Sequence, residues 1–600
     1  MPRPPELPSD LRIIGAKNLY PHEFAMLQGR ELTSLISERP IPGLGKRLRA
    51  LERAGEKEFL AGARWRALHA YEQVAKDHPE LNLGPEMADR IVTPSQETYI
   101  PLEVEYKGEI YHCLAARAWF DDWLQHPDGH IRKGGIRYVS VKEIKEGRLH
   151  RIANEKAAEK LMKDDVKALG LEMLLKNFGV NFKDFIQASG ITALAPEIME
   201  QLDVIGGAKG VIVGPRDLHE PDHQDFIKAV LKEYAKQMTL RGVVGSRKDV
   251  PAGDIGTTTA GAMDAFVEGH RLGLKGEIPE NEILATVTGK NVGNGGNEAR
   301  ATATAFGTKE ALMLWAKRKA EKAGISVEAV LQSLRVVFDG AGNAALPAAK
   351  ALAEMGVKVV GMTDTKSAIY CESGLTVEDI DGIERTKEKR GSLAKFAAAQ
   401  DLGRITTIAK SEAEIEDGKR WLWNKENSGM NVLFASSAER IINESNVEAI
   451  PNDCLIIDGA NGPVTPKAEK RLIEKGIEHF TGSYANAGGV IASLVEWAAN
   501  MADIKVSKKQ TEAAIKYVMK RNFEEMYALV ESGRVASLAE AFYFLAMERI
   551  VMDRLYKVEE IPQSKIPQVN IPVERQIIYE IEDQHPEIKI PATRLFPQHS

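Results

Sequence analysis

Charged and apolar residues mix at helix-like spacing through residues 31–40 and 63–78, and this pattern predicts a helical region up to about residue 95. From about 96 to 315 the chain carries several glycine-rich segments, read as turns, with unusual lysine placement. Beyond residue 330 the pattern changes. Leu334–Asp339 is a short apolar, β-branched run that ends at a glycine-rich turn. A helix-like segment follows to about Met355, and Val357–Met362 reads as a second strand. Strand, turn, helix, strand predicts a parallel sheet with helices on its faces. Residues 506–556 return to amphipathic helix. After Tyr556, prolines at 562, 567, 572, 586, 591 and 597 block helix and predict an extended arm on the surface or on a neighbouring subunit. The expected division is a helical extension (1–95), a first α/β domain (96–315), a second (316–505), C-terminal helices (506–556) and the tail (557–600).

The 600 residues are 44% hydrophobic, 28% charged and 6% aromatic, which excludes a disordered or collagen-like chain and leaves apolar mass for more than one core. The net charge of −7 argues against nucleic acid or an anionic membrane as the main partner. Cys113, Cys371 and Cys454 form no CxxC pair, so neither a disulfide framework nor a zinc site is implied, and a reducing cytoplasm fits. The sequence has no apolar run of membrane length and no apolar signal region in MPRPPELPSD, so a soluble intracellular protein is expected. No metal-ligand cluster is apparent, and His126 and His130 read as loop residues.

Gly340-Ala341-Gly342-Asn343-Ala344-Ala345 is a GxGxxA form of the dinucleotide fingerprint. Gly340 permits a tight turn, Gly342 lets the backbone approach a diphosphate, and Ala345 allows close helix–strand packing. The second strand delivers Asp364, an acid placed to accept hydrogen bonds from ribose hydroxyls. That placement favours NAD, while nearby Lys366 leaves NADP open. Upstream, Lys133 lies in KGGIR, Lys176 ends the run DDVKALGLEMLLK, and Lys209 lies in IGGAKG. Lysines flanked by glycine leave room for an anionic ligand, and partial burial lowers their pKa into a useful acid–base range. Asp254, in DVPAGDIGT, is a candidate proton shuttle.

These segments, in this order, resemble the glutamate/leucine/phenylalanine/valine dehydrogenase family, most closely its glutamate-specific members. The resemblance continues through TGK at Thr288–Lys290, RATATAFG from Arg300, TDTKSAIY after the fingerprint, DGANGPVTP at Asp458–Pro466 and ANAGGVIASLVEW at Ala485–Trp497. It implies an α/β fold of two domains, a substrate domain with a mixed sheet and a Rossmann-type NAD(P) domain, with the active site between them. It implies oxidative deamination of glutamate to 2-oxoglutarate and ammonium, and the reverse reaction. By resemblance, Lys133 with Ser493 would hold the distal carboxylate, Lys176 the α-carboxylate, Val490 would be a further substrate-binding residue, and Lys209 and Asp254 would carry the catalysis. Thr304 would contact the nicotinamide side, Asn461 and Asn486 would line the cofactor and substrate cleft, and Gly340, Gly342, Asn343, Ala344 and Asp364 would bind the cofactor. A homo-oligomer, commonly a hexamer, is implied. The alternatives are a family member for another amino acid and a catalytically weak regulatory paralogue. Apolar-substrate relatives carry leucine where Lys133 stands, which counts against the first alternative.

Three features depart from the family pattern. HIRKGGIRYVSV lacks the usual Gly-Pro and His-Pro around the lysine motif, and Gly253 stands where proline is usual. Lys176 and Lys209 are 33 positions apart, which implies an insertion at about 181–201 beside the active site.

Overall fold

The computed structural model describes residues 41, 43–120, 131–140, 155–182, 185–189, 191, 205–217, 220, 222–389, 391–399, 403–560 and 577–579. His126, His130, residues 1–40 and most of the tail lie outside the described residues.

The chain enters through helices α1 (Leu44–Gly55) and α2 (Phe59–Asp77). Helix α2 buries an unusually broad face, including Trp65, Ala67, Leu68, Tyr71 and Val74. It has neighbours on several sides: α1, α3 (Glu155–Val180) and the C-terminal α10 (Leu538–Glu560).

The first sheet has the order β13-β1-β2-β4-β3-β5. Its strands are β1 (Gln96–Tyr106), β2 (Glu109–Phe120), β3 (Ile131–Ser140), β4 (Ile205–Gly214), β5 (Asp249–Gly253) and β13 (Ile577–Tyr579). β3 runs parallel to β4 and β5, whereas β2 is antiparallel to β1 and β4, so the sheet is mixed. Helices α4 (His223–Leu240) and α5 (Ala262–Gly273) pack together beside it. Three residues of the proline-rich tail, β13, join this chain's own sheet at β1.

The helix α6 (Ala303–Ala323) runs through the expected division at 315/316 and leads toward the second sheet. That sheet has the order β12-β11-β10-β6-β7-β8-β9. Its strands are β6 (Arg335–Asp339), β7 (Lys358–Thr363), β8 (Ala368–Cys371), β9 (Ile405–Ala409), β10 (Val432–Ala435), β11 (Leu455–Asp458) and β12 (Glu478–Phe480). β7, β6, β10, β11 and β12 are parallel, and β8 and β9 add an antiparallel edge. Every residue of β10 and β11 is buried, because helices cover both faces, and this explains their continuous apolar runs. From β6 the chain passes through α7 (Ala345–Glu354) to β7 on one side and later returns to β10 on the other. The strand order reverses there, and such switch points open a crevice at the carboxyl ends of the strands.

Helix α8 (Gly488–Met501) crosses α6 at close range. A Cβ at Gly488 would sit 1.9 Å from the carbonyl oxygen of Ala303, and one at Gly307 would sit 2.9 Å from that of Ala485. Helices α9 (Lys508–Glu531) and α10 then return to the first domain, where Arg549 of α10 donates to the carbonyl of Gly179 at 2.6 Å, at the end of α3. The described part of the 181–201 segment packs against α9, where Arg521 donates to the carbonyls of Val180 and Asn181, both at 2.6 Å. Among the described residues, no helix is long and apolar enough to cross a membrane.

Candidate active site

The glycine-rich lysine motifs are strands rather than the turns that their composition suggests. KGGIR lies in β3, GGAKG in β4 and DVPAG is β5, with Lys133 opposite Gly207 and Ile136 opposite Gly253. Their glycines mark close approaches. A Cβ at Gly134 would lie 1.5 Å from the carbonyl oxygen of Ala208, and one at Gly207 would lie 2.3 Å from the amide of Leu174 on α3. A Cβ at Gly135 would strike the side chain of Asp254 at 2.7 Å and approach Lys209 Nζ at 3.3 Å. Without side chains here, β3 and β4 draw α3 down onto the sheet and leave a space that Lys209 and Asp254 fill.

Lys209 Nζ donates to Asp254 Oδ2 at 2.5 Å. The start of the Asp254 loop is pinned by Thr257, whose hydroxyl accepts from the Asp254 amide at 2.9 Å and donates to the carbonyl of Ile136 at 2.6 Å. Burial lowers the pKa of Lys209, and Asp254 opposes that shift. Burial alone would raise the pKa of Asp254, but Lys209 and Arg137 hold it below the usual carboxylate range.

Lys176, on α3, reaches across the cleft and donates to Asn461 Oδ1 at 2.9 Å and to Asn486 Oδ1 at 2.5 Å. The two amides expected to line the cofactor and substrate cleft thus meet the substrate-side lysine directly. Burial and the neighbouring Lys209 bring the pKa of Lys176 down to about 8. Lys133 Nζ donates to the carbonyl of Ser493 at 3.1 Å, and burial lowers its pKa to about 7. The Ser493 hydroxyl accepts from Nε of Arg300 at 3.1 Å. Lys133 and Arg300 therefore converge on one residue of α8. One turn further along α8, Glu496 accepts from Lys290 Nζ at 2.6 Å and from the Gly289 amide at 3.0 Å. This pair is fully buried and ties the TGK segment to α8. Thr304 lies at the start of α6, where its hydroxyl would be 2.8 Å from a Cβ at Gly489. Val490 is partly buried against the core beside it.

Residue-level reading of the sequence missed Arg300, Lys290, Glu496 and Arg137. Each stands inside a motif that was legible, but charged groups in such motifs declare no partner until helices α6 and α8 are brought together.

The residues at the switch point fit a dinucleotide. Gly340 has a φ of 121°, and a Cβ there would press on the amide of Ser437 at 2.9 Å. Gly342 and Asn343 are exposed, Ala344 is half-buried, and a Cβ on Gly342 would meet nothing within 4 Å, so the turn leaves its backbone open where a diphosphate approaches a helix N-terminus. Asp364 is differently engaged from what its position suggests. Oδ1 accepts from the amides of Lys366 and Ser367 at 2.9 and 2.8 Å and from the Ser367 hydroxyl at 3.0 Å. Oδ2 accepts from Lys387 Nζ and the Leu393 amide, both at 3.0 Å. Five donors saturate this buried carboxylate, which clamps the β7–β8 turn to the following helices and leaves no lone pair for a ribose hydroxyl. Elsewhere, Asp77, His78 and Glu548 approach one another closely enough to suggest a metal, but Arg534 pairs with both carboxylates and takes the place of a cation.

Fold and site define a two-domain, dinucleotide-type dehydrogenase with a lysine-lined cleft between its sheets. The profile of the Glutamate/Leucine/Phenylalanine/Valine dehydrogenase family matches residues 295–556 of the chain. The chain is 28% identical over 346 residues to the NADP(+)-dependent glutamate dehydrogenase of Pyrobaculum calidifontis, covering 58% of this chain and 73% of that one. It is 27% identical over 333 residues to the cryptic catabolic NAD-specific glutamate dehydrogenase of Bacillus subtilis, covering 55% and 67%. The glutamate dehydrogenase of Plasmodium falciparum shares the fold, with a TM-score of 0.63 at 19% identity over 86% of this chain and 95% of that one.

Proposed function

We propose that the protein catalyses oxidative deamination of L-glutamate to 2-oxoglutarate and ammonium with NAD or NADP, and the reverse reductive amination, as a cytoplasmic homo-oligomer, hexameric as is common in the family. The observation that carries this reading is the separation of buried cations into two groups. Lys133 and Arg300 meet at Ser493, whereas Lys176 meets Asn461 and Asn486, with the Lys209–Asp254 pair close by. A buried cation without a counter-ion is costly, so each group invites a carboxylate. An amino acid with two carboxylates satisfies both.

When bound, the nicotinamide would supply the acceptor for a hydride from the substrate Cα. Lys176 holds the α-carboxylate, and Lys133 with Arg300 and Ser493 holds the distal one, so that Cα is fixed in position. Val490 lines the substrate side of the cleft and Thr304 its nicotinamide side, and Gly340, Gly342, Asn343 and Ala344 form the diphosphate cradle. Lys209, with its lowered pKa, activates the water that attacks the substrate iminium, and Asp254 takes and returns the proton at nitrogen. Following reduced-nicotinamide absorbance with a panel of amino acids, and with each cofactor, tests the reading. Wild type is expected to turn over glutamate, and Lys209→Ala to lose at least about a hundredfold in kcat. Absence of glutamate turnover, or near-normal turnover by the variant, contradicts it.

A further inference from the structure

On another side of Asp254, β3 supplies the arginine of KGGIR. The buried guanidinium of Arg137 stands among three carboxylates. Nη2 donates to Glu439 at 2.9 Å, Nη1 lies 3.8 Å from Asp165 on α3, and Nε lies 3.5 Å from Asp254. Glu439 comes from the other domain. It follows β10 on the segment Ser436–Glu439, whose main chain walls the switch-point crevice. The Ser436 amide donates to the carbonyl of Asp339 at 2.8 Å, and Ser437 is the residue that a Cβ on Gly340 would touch. One arginine therefore links the wall of the dinucleotide crevice to the proton-handling carboxylate.

A guanidinium beside a carboxylate favours a two-pronged hydrogen-bonded pair. Here Glu439 occupies one edge of Arg137, and Nε stays beyond normal hydrogen-bond length from Asp254. We propose that Glu439 is a positioning residue that holds Arg137 off Asp254 when the nucleotide domain closes on the substrate domain, leaving Asp254 available to Lys209 and to the proton in transit. The catalytic part of this inference rests on the deamination reading above. Remove the charge of Glu439 and Asp254 is the nearer of the two carboxylates left to Arg137. An Asp254 locked to Arg137 is a weaker proton acceptor, and Lys209 loses the counter-charge that supports its ammonium form. The other charges acting on Asp254 and its surroundings are Lys209 from β4, Lys176 from α3, Arg300 ahead of α6 and, acting on Lys209, Arg117 from β2. Asp165, Asp164 and Arg440 surround the Arg137–Glu439 pair. Asp165 and Arg440 also feel the charge of Glu439, so its replacement eases the ionisation of Asp165, whereas Glu439 is not among the charges acting on Lys209, Lys176 or Arg300.

The test uses the full chain with Glu439→Gln and Glu439→Asp. In the Gln variant, kcat is expected to fall on the order of tenfold, a part of the usual general acid–base contribution, with little change in KM for the amino acid. The acid limb of the kcat/KM profile is expected to move down by roughly half a pH unit or more, because the Lys209–Asp254 pair titrates as a unit. The Asp variant, which keeps the charge, recovers most of the loss. A crystal structure of the Gln variant should show Arg137 within about 3.2 Å of the Asp254 carboxylate. Arg137 unmoved in that structure, or an unchanged kcat and pH profile in the Gln variant, overturns the proposal. A wild-type chain inactive on glutamate contradicts the deamination reading instead, and the structure of the variant still decides what Glu439 does to Arg137.

Discussion

At the scale of single residues, the site is a set of lysines whose charge is expensive to keep. Lys133 has a folded pKa of about 7, against 10.5 for a free lysine, because burial penalises its ammonium form. Between those values the unfolded chain binds a proton that the folded chain does not. This contribution therefore makes stability rise as pH increases from about 7 toward 10.5, and its full destabilising effect is present below pH 7. A carboxylate arriving beside Lys133 restores the charge, so glutamate binding at pH 8 should take up protons. Calorimetric titration in buffers of different ionisation enthalpy measures that uptake. Heats that do not depend on the buffer would show that Lys133 is already charged or does not meet the ligand. The identity of these lysines was legible because lysine beside glycine is an unusual combination. Their setting was misread, since glycine signals turns more often than strands, and only the near-contact of Gly134 with Ala208 and of Gly207 with Leu174 shows why strand glycines are needed.

At the scale of elements, the β6–α7–β7 unit was legible almost residue by residue. Local hydrophobic runs and a fingerprint turn specify it without distant contacts. The role of Asp364 was not legible, because its partners Lys387 and Leu393 lie 23 and 29 positions further along the chain. If this carboxylate is a clamp, Asp364→Asn should cost about 1–3 kcal/mol of stability, the range for disrupting buried hydrogen bonds. The ratio of NAD to NADP affinity should stay unchanged. Chemical denaturation together with cofactor titration checks both. A selective loss of NAD affinity would return Asp364 to the ribose.

At the scale of the whole molecule, the N-terminal helices are structural partners of the active site. Arg66 of α2 donates to Glu172 at 2.5 and 2.8 Å and to the carbonyl of Val464 at 3.3 Å. Glu172 sits one helical turn before Lys176, and Val464 follows the loop that carries Asn461. A pair 106 positions apart leaves no trace in periodicity, so the sequence showed only a helix without chemistry. Arg66→Met leaves Glu172 buried and unpaired and should cost about 3–5 kcal/mol in a urea titration. A loss below about 1 kcal/mol would mean that the pair behaves like an exposed one.

The same long-range assembly puts Lys133 of the first sheet, Arg300 ahead of α6 and Ser493 of α8 around one pocket, and the central claim is that this pocket reads a distal carboxylate. An apolar side chain of equal length would leave those cations buried without a counter-charge, which costs on the order of 2–5 kcal/mol. The most direct measurement is kcat/KM for glutamate against norvaline, in the wild type and in Lys133→Leu with Ser493→Val. The wild type should favour glutamate by at least about thirtyfold, from the low end of that range at 1.4 kcal/mol per decade, and the double variant should erase or invert the preference. A wild type that prefers norvaline, or a double variant that keeps its preference for glutamate, would contradict the account.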